Sequence, residues 1–219
     1  MTVNDRYNRQ ELISGWDQEK LSVSKAVVFG SGNLANYTLA SLAALGIGNI
    51  EIYDTGKANS DREFLLFQAR EGEYKVKALE TMLKQINPIL RIRGVSTPMS
   101  APLLAMIGKP DVIIDATNSK RSKDDILKYA KSRGVKFISA SSDRDRAEMC
   151  FINPDTEQKD VSLDAYDGKV QGITTSGIMG GIITEELRKA IMPFSASDQP
   201  VRKIAYSLAS PRRFSAEDG

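Results

Sequence analysis

The sequence predicts a doubly wound α/β fold: a Rossmann-like, mostly parallel sheet with helices on both faces and a smaller C-terminal strand region. Three observations lead there. Short apolar runs alternate with longer amphipathic segments along most of the chain. One such run, Ala26–Phe29, stops at Gly30-Ser31-Gly32 and opens directly into a helical pattern. Asp54 then closes the following apolar run, about 20 residues on, where folds of this class place a carboxylate.

Each element has its own signal. Strands are expected at Ala26–Phe29, Ile50–Tyr53, Ile89–Val95, Val112–Asp115 and Val135–Ser139, where β-branched and aromatic residues concentrate. Helices are expected between them, at about Leu34–Ala44, Lys75–Ile86, Ala101–Ile107 and Ser122–Ser132. Asn87-Pro88 stops one helix, Gly94 and Pro98 bound a turn, and Gly134 follows a helix C-terminus. Ala147–Ile152 reads as a strand in which Cys150 is a small buried hydrophobe. From Phe151 to Gly172 the periodicity is lost, and strand fragments with a mobile loop are expected. A helix at about Ile178–Met192, a strand at Lys203–Leu208 and a frayed polar tail complete the chain. Residues 1–24 are thus expected to form an N-terminal helical arm, 25–150 the Rossmann-like nucleotide-binding part, and 151–219 the crossover loop, late helix and C-terminal strands of the same domain.

Composition narrows the chemistry. At 219 residues and 41% hydrophobic content the chain can bury a proper core. Lys and Arg number 30 against 28 Asp and Glu, so no global field draws it to nucleic acid or a membrane surface. The single cysteine excludes an internal disulfide and a Cys-rich zinc site. The Met1–Arg6 segment lacks the apolar core of a signal peptide, which predicts a cytoplasmic location. Histidine is absent, so every His-dependent triad or metal cluster is excluded and chemistry must run on carboxylates, Arg, Lys or bound metal. Met99, Met106 and Met149 are expected as core fillers, Trp16 as core, and Lys120–Asp125 as a solvated helix N-terminus at the carboxyl edge of the sheet.

A strand that ends in a Gly-rich turn and starts a helix places free backbone N–H groups and the positive end of a helix dipole where a phosphate can sit. Around that turn lie Arg6-Tyr7-Asn8-Arg9-Gln10, Gly30-Ser31-Gly32-Asn33-Leu34-Ala35, Asp54, Asn59-Ser60-Asp61-Arg62-Glu63-Phe64, Lys75, Ile86-Asn87-Pro88 and Asp115-Ala116-Thr117-Asn118-Ser119. In order and spacing these segments resemble the ThiF/MoeB/HesA family, which includes the adenylation domains of ubiquitin-activating enzymes. The resemblance extends to Gly177-Ile178-Met179-Gly180-Gly181, which looks like the family's glycine-bearing start to a late helix.

The resemblance implies an ATP-dependent adenylyltransferase that activates the C-terminal carboxylate of a ubiquitin-like or sulfur-carrier protein. It implies that Gly30 and Gly32 let the backbone approach ATP, with Asn33 and Leu34 beside them, and that Asp54 holds the ribose. Asn59 and Arg62 would contact phosphates, and Lys75 would neutralise charge on the α-phosphate side. Asp115, Thr117 and Asn118 would complete the nucleotide site. Arg9 would reach across a homodimer or heterodimer interface into the partner's site. Such a reaction needs charge neutralisation and in-line alignment rather than a general base, because the attacking carboxylate is already ionised.

Several positions depart from the family pattern. Asn118 stands where the family carries an Asp that helps hold Mg²⁺, and an amide is a poorer ligand for a hard dication, so Mg²⁺ binding is expected to be weak unless Asp115 compensates. No cysteine lies between Asn153 and Gly172, where the family's thioester or persulfide cysteine falls, and its paired Cys-x-x-Cys zinc motifs are missing. A reaction ending at the adenylate, or passing it to a separate protein's sulfur, fits better than built-in transthiolation. Two other readings stay open: a catalytically reduced partner subunit of a heterodimeric activating enzyme, and an NAD-dependent Rossmann oxidoreductase that would use the same Gly turn and Asp54.

Overall fold

The computed structural model describes residues 6–59, 63–66, 68–156, 172–210 and 213–217. Their elements, in chain order, are α1 (Asn8–Glu11), α2 (Gln18–Val23), β1 (Lys25–Phe29), α3 (Asn33–Leu45), β2 (Asn49–Tyr53), α4 (Lys75–Ile86), β3 (Arg91–Val95), α5 (Ala101–Met106), β4 (Val112–Asp115), α6 (Lys120–Arg133), β5 (Lys136–Ser142), β6 (Arg146–Ile152), α7 (Ile173–Ile191), β7 (Lys203–Ser207) and β8 (Phe214–Glu217). The strands join one sheet in the order β3-β2-β1-β4-β5-β6-β7-β8. It is parallel from β3 to β5 and antiparallel from β5 to β8.

Alternation along the strands divides the interior into two layers. Val28, Ile50, Ile52, Val112 and Ile114 face α3, α4 and α7. Val27, Phe29, Ile113 and Phe137 face α5 and α6. Both faces of the central strands are covered, which is why they read as unbroken apolar runs rather than alternating ones. Cys150 lies in the second layer as a buried hydrophobe. Among the described residues, no helix is long and apolar enough to cross a membrane.

The structure moves several expected boundaries. β3 begins at Arg91, and Ile89 is 52% exposed in the turn that Asn87-Pro88 starts. The C-terminal tail is not frayed throughout, because Phe214–Glu217 pairs antiparallel with β7. Of the three methionines expected as core fillers, Met149 is buried, Met99 borders a cleft, and Met106 is 77% exposed at the end of α5. Trp16 is only partly buried, packed against Phe194 at 6.0 Å between ring centres. The mobile loop expected before Gly172 falls mainly on residues 157–171, outside the described residues.

The late helix starts five residues earlier than expected, at Ile173 with Gly172 as its N-cap. Gly177, Gly180 and Gly181 therefore lie within the helix rather than opening it. Interior glycine is a poor helix former, so its presence argues for a start further on. Packing reverses that argument. A Cβ on Gly180 would lie 2.8 Å from Cβ of Tyr37 and 2.9 Å from the backbone N of Thr38, so glycine lets α7 and α3 approach closely. Among the described residues, these two helices make the most extensive helix–helix contact.

Candidate nucleotide-binding site

The carboxyl ends of β1, β2 and β4 open into a cleft of about 1160 Å³, bordered by the loop after β3 and by α5 and α6. It lies where the chain reverses its direction of sheet building: β1 to β3 extend one way and β4 and β5 the other. Ligands of open α/β sheets bind at this switch point. Among the predicted residues, Asp54 and Thr117 line the cleft, together with Phe29 just before Gly30.

Gly30 adopts φ +103°, and a Cβ there would sit 2.9 Å from the carbonyl oxygen of Ala116. Glycine is thus needed both for the backbone conformation and for contact between the turns that follow β1 and β4. The expected reason, approach to a ligand, is accompanied by this structural one. Gly32 is the N-cap of α3 and contributes no side-chain acceptor, so no cap competes for the first-turn amides. Asn36 Nδ2 donates to the carbonyls of Ser31 at 2.8 Å and Gly32 at 3.0 Å, fixing the turn.

The fold also uses the two residues expected beside the Gly turn at α3. The side-chain oxygen of Asn33 accepts the Phe64 amide at 3.1 Å, just as that of Asn36 accepts the Leu65 amide at 3.0 Å. Asn33 therefore pins the loop after β2 to α3 through its side-chain oxygen. Leu34 belongs to the apolar core.

Asp54 and Lys75 flank one turn. A Cβ on Gly56 would lie 2.9 Å from Asp54 Oδ1 and 3.4 Å from Cδ of Lys75. The Asp54 carboxylate accepts the Gly56 amide, and the Lys75 amide donates to the Gly56 carbonyl at 2.9 Å. The Lys75 ammonium is ion-paired with Glu63, whose second carboxylate oxygen is buried without a hydrogen-bond partner. Asn59 is exposed, and Arg62 lies outside the described residues.

Asp115 is held in a buried ion pair. Its side chain is 0% exposed; Oδ1 accepts the Thr117 amide at 2.8 Å, and Oδ2 lies 3.7 Å from the ammonium of Lys123, itself 0% exposed. Burial pushes the Asp115 carboxyl above the usual carboxylate range, opposed by Lys123; burial likewise lowers Lys123, opposed by Asp115. The Asp115 carboxylate thus faces the buried Lys123 ammonium. Among the described residues, no three His, Cys, Asp or Glu side chains gather where they could hold a metal. The donors present do not fit a protein-built Mg²⁺ cage, which favours carboxylate and water oxygens.

Two buried hydroxyls at this edge, Ser31 Oγ and Thr117 Oγ1, have no hydrogen-bond partner, while Asp115 Oδ2 has the Lys123 ammonium at 3.7 Å. Ser31 and Thr117 each fall two residues beyond Phe29 and Asp115, which are register partners on adjacent strands. Buried polar atoms are normally satisfied, so this cluster marks a place for water or ligand to complete the bonding. Partly exposed Asn118 follows in the same turn.

Arg9 lies at the other end of the molecule. Its neighbour Tyr7 receives Asn87 Nδ2 at 2.9 Å, and Arg6 donates to the Ile86 carbonyl at 2.6 Å. Gln10 donates to the Leu45 carbonyl, at the C-terminus of α3. The 13 residues of α3 thus separate the arm from its own Gly turn, roughly 20 Å at 1.5 Å per residue. Exposed Arg9 cannot reach the nucleotide cleft of its own chain.

Sequence reasoning missed Glu63, Ser31 and Lys123 as site residues. Lys123 sits within Lys120–Asp125, expected to be solvated, yet it turns wholly inward from α6. The available signal was its place four residues after the N-cap Ser119, on the same helix face as Ile126 and Ala130.

Fold and cleft define an α/β protein of the dinucleotide-fold type with a candidate ligand cleft at the carboxyl edge of the sheet. The ThiF family model matches residues 6–209, and the chain belongs to the ThiF family. It is 31% identical over 188 residues to the molybdopterin-synthase adenylyltransferase of Haemophilus influenzae, covering 81% of this chain and 77% of that protein. The Escherichia coli molybdopterin-synthase adenylyltransferase is 30% identical over 146 residues, 64% of this chain and 59% of that one. In fold the chain is similar to PaaA, with a TM-score of 0.83 at 22% identity over 100% of this chain and 74% of PaaA. It is also similar to E. coli MccB solved with ATP, with a TM-score of 0.81 at 17% identity over 99% of this chain and 72% of MccB.

Proposed function

We propose that this protein binds ATP at the carboxyl edge of its sheet and adenylates the C-terminal carboxylate of a ubiquitin-like or sulfur-carrier protein. The observation that carries the reading is the pair of buried hydroxyls on Ser31 and Thr117 without a hydrogen-bond partner, beside an uncapped helix start and a cleft of nucleotide size. The names of the adenylyltransferase relatives support it.

In this reading the first-turn amides of α3 receive phosphate oxygens and Asp54 receives the ribose hydroxyls. Lys75 exchanges Glu63 for the α-phosphate, on which negative charge grows as the carboxylate attacks. Arg62 and Asn59 contact the outer phosphates. The bond from carboxylate oxygen to α-phosphorus forms as the bond to pyrophosphate breaks, and no proton moves. Mg²⁺, where it enters, is carried chiefly by the triphosphate's own oxygens. Arg9 acts in trans within a homodimer or heterodimer, because the cis route is too long.

A second reading is favoured by Asn118 and by the Lys75–Glu63 ion pair, which together weaken the charge balance at the triphosphate. It makes the chain the non-catalytic subunit of a heterodimer. ATP–pyrophosphate exchange with a carrier ending in Gly-Gly separates the two. Carrier-dependent exchange supports catalysis; ATP binding without exchange assigns the reduced-subunit role. The Lys75→Ala protein is expected to lose about 10²-fold or more of that exchange.

A further inference from the structure

Lys123 is the most deeply buried cation in the second core layer, and nothing in the adenylation scheme above uses it. Its ammonium donates to the Ala140 carbonyl at 2.8 Å, to Ser139 Oγ at 3.2 Å and to the Asp115 carbonyl at 3.5 Å. It also faces Asp115 Oδ2 at 3.7 Å. One side chain from the first turn of α6 thus ties the end of β4 to the middle of β5. The bonding continues toward the cleft. Asp115 Oδ1 holds the Thr117 amide, and the Ala116 carbonyl between them packs against Gly30.

We propose that Lys123 is a positioning residue for the nucleotide site: its ammonium anchors Asp115, and through it the turn carrying Thr117 and Asn118, against the Gly30 turn. This inference rests on the ATP-binding reading for its consequence but not for its geometry. Other groups facing the ammonium across β5 and β6 are Cys150 and Glu148, and Glu148 is turned to Lys203 at 3.5 Å. Its hydrogen bonds are therefore directed at β4 and β5, where they can set the position of the β4 turn. A lysine kept only for bulk would be replaceable by an apolar side chain of like length once its counter-charge was also removed, since neutralising both members of a buried ion pair often preserves stability.

That difference supplies the test. Lys123→Met alone leaves the Asp115 carboxylate buried without a cation and can fail to fold, so the deciding variant is the double substitution Lys123→Met with Asp115→Asn. The side-chain amide that Asp115→Asn introduces keeps an acceptor for the Thr117 amide. Two measurements are made: hydrogen exchange of the peptide spanning 115–119, and calorimetric titration with ATP. We expect the double variant to unfold within about 5 °C of the parent, to exchange faster across 115–119 than the parent while its other segments match, and to bind ATP about tenfold or more weakly. Unchanged exchange across 115–119 overturns the inference, as does parental ATP affinity alongside faster exchange. If the parent binds no ATP, the proposed function fails, while the exchange data still decide whether Lys123 holds the turn.

Discussion

At the residue scale, the strongest prediction concerns Glu63. Its carboxylate occupies the Lys75 ammonium that the adenylation scheme assigns to the α-phosphate. Glu63→Gln should free the ammonium and remove a negative charge near the triphosphate, tightening ATP binding roughly threefold to tenfold. Weaker binding in that variant would mean instead that Glu63 orients Lys75. Gly30→Ala is expected to lose about 1–3 kcal/mol of stability, read from chemical denaturation, because φ is +103° and the new methyl would press on the Ala116 carbonyl. Gly30, Asp54 and Thr117 were legible in the sequence because spacing after a strand signals backbone and edge position. Lys123 and Glu63 were not. A lysine among charged neighbours at a helix start reads as solvated, and only the tertiary approach of β5 turns it inward. The structural use of the Asn33 side chain was hidden for a related reason: its oxygen accepts the amide of Phe64, 31 residues away, a pairing with no local signature.

At the element scale, α7 offers a paired test of how α3 and α7 pack. Gly180→Ala should destabilise by about 1–3 kcal/mol, because the added carbon would overlap Tyr37 and Thr38 on α3. Gly181→Ala, next in sequence, has nothing within 4 Å of the new carbon and should stabilise by about 0.5–1 kcal/mol as a helix-interior glycine is replaced. Melting midpoints of the two variants should move in opposite directions; equal shifts would contradict the packing account. The α3 interface also bears on function, since the uncapped start of α3 is the proposed phosphate seat. Strand positions were legible to within one or two residues for β1 to β4, where buried β-branched runs are distinctive, whereas β5 continues three residues past its expected end at Ser139. The early start of α7 was hidden because polar Thr174, Thr175 and Ser176 and the glycines that follow are poor helix formers made tolerable by packing. β8 was hidden because its residues are all exposed and carry no alternation.

At the scale of the whole molecule, the arm and the cleft lie at opposite ends of α3, and this separation makes a specific prediction about assembly. If Arg9 serves a partner's site, an Arg9→Ala protein mixed with a Lys75→Ala protein should recover part of the exchange that each lacks alone, because one of the two mixed sites carries both residues. Absence of recovery would confine Arg9 to an ion-pairing surface role. Fold class and family were legible because the order of motifs along the chain is set by the order of strands in the sheet. The partner's identity was not, because recognition of a carrier depends on surface shape, which no periodicity encodes. The central claim, a triphosphate seated at the Ser31, Thr117 and α3 edge, is tested most directly by calorimetric titration of the protein with ATP, with NAD as control. The account predicts saturable binding of ATP at one site per chain, weakened by Asp54→Ala, and no comparable heat from NAD; equal binding of both, or of neither, would contradict it.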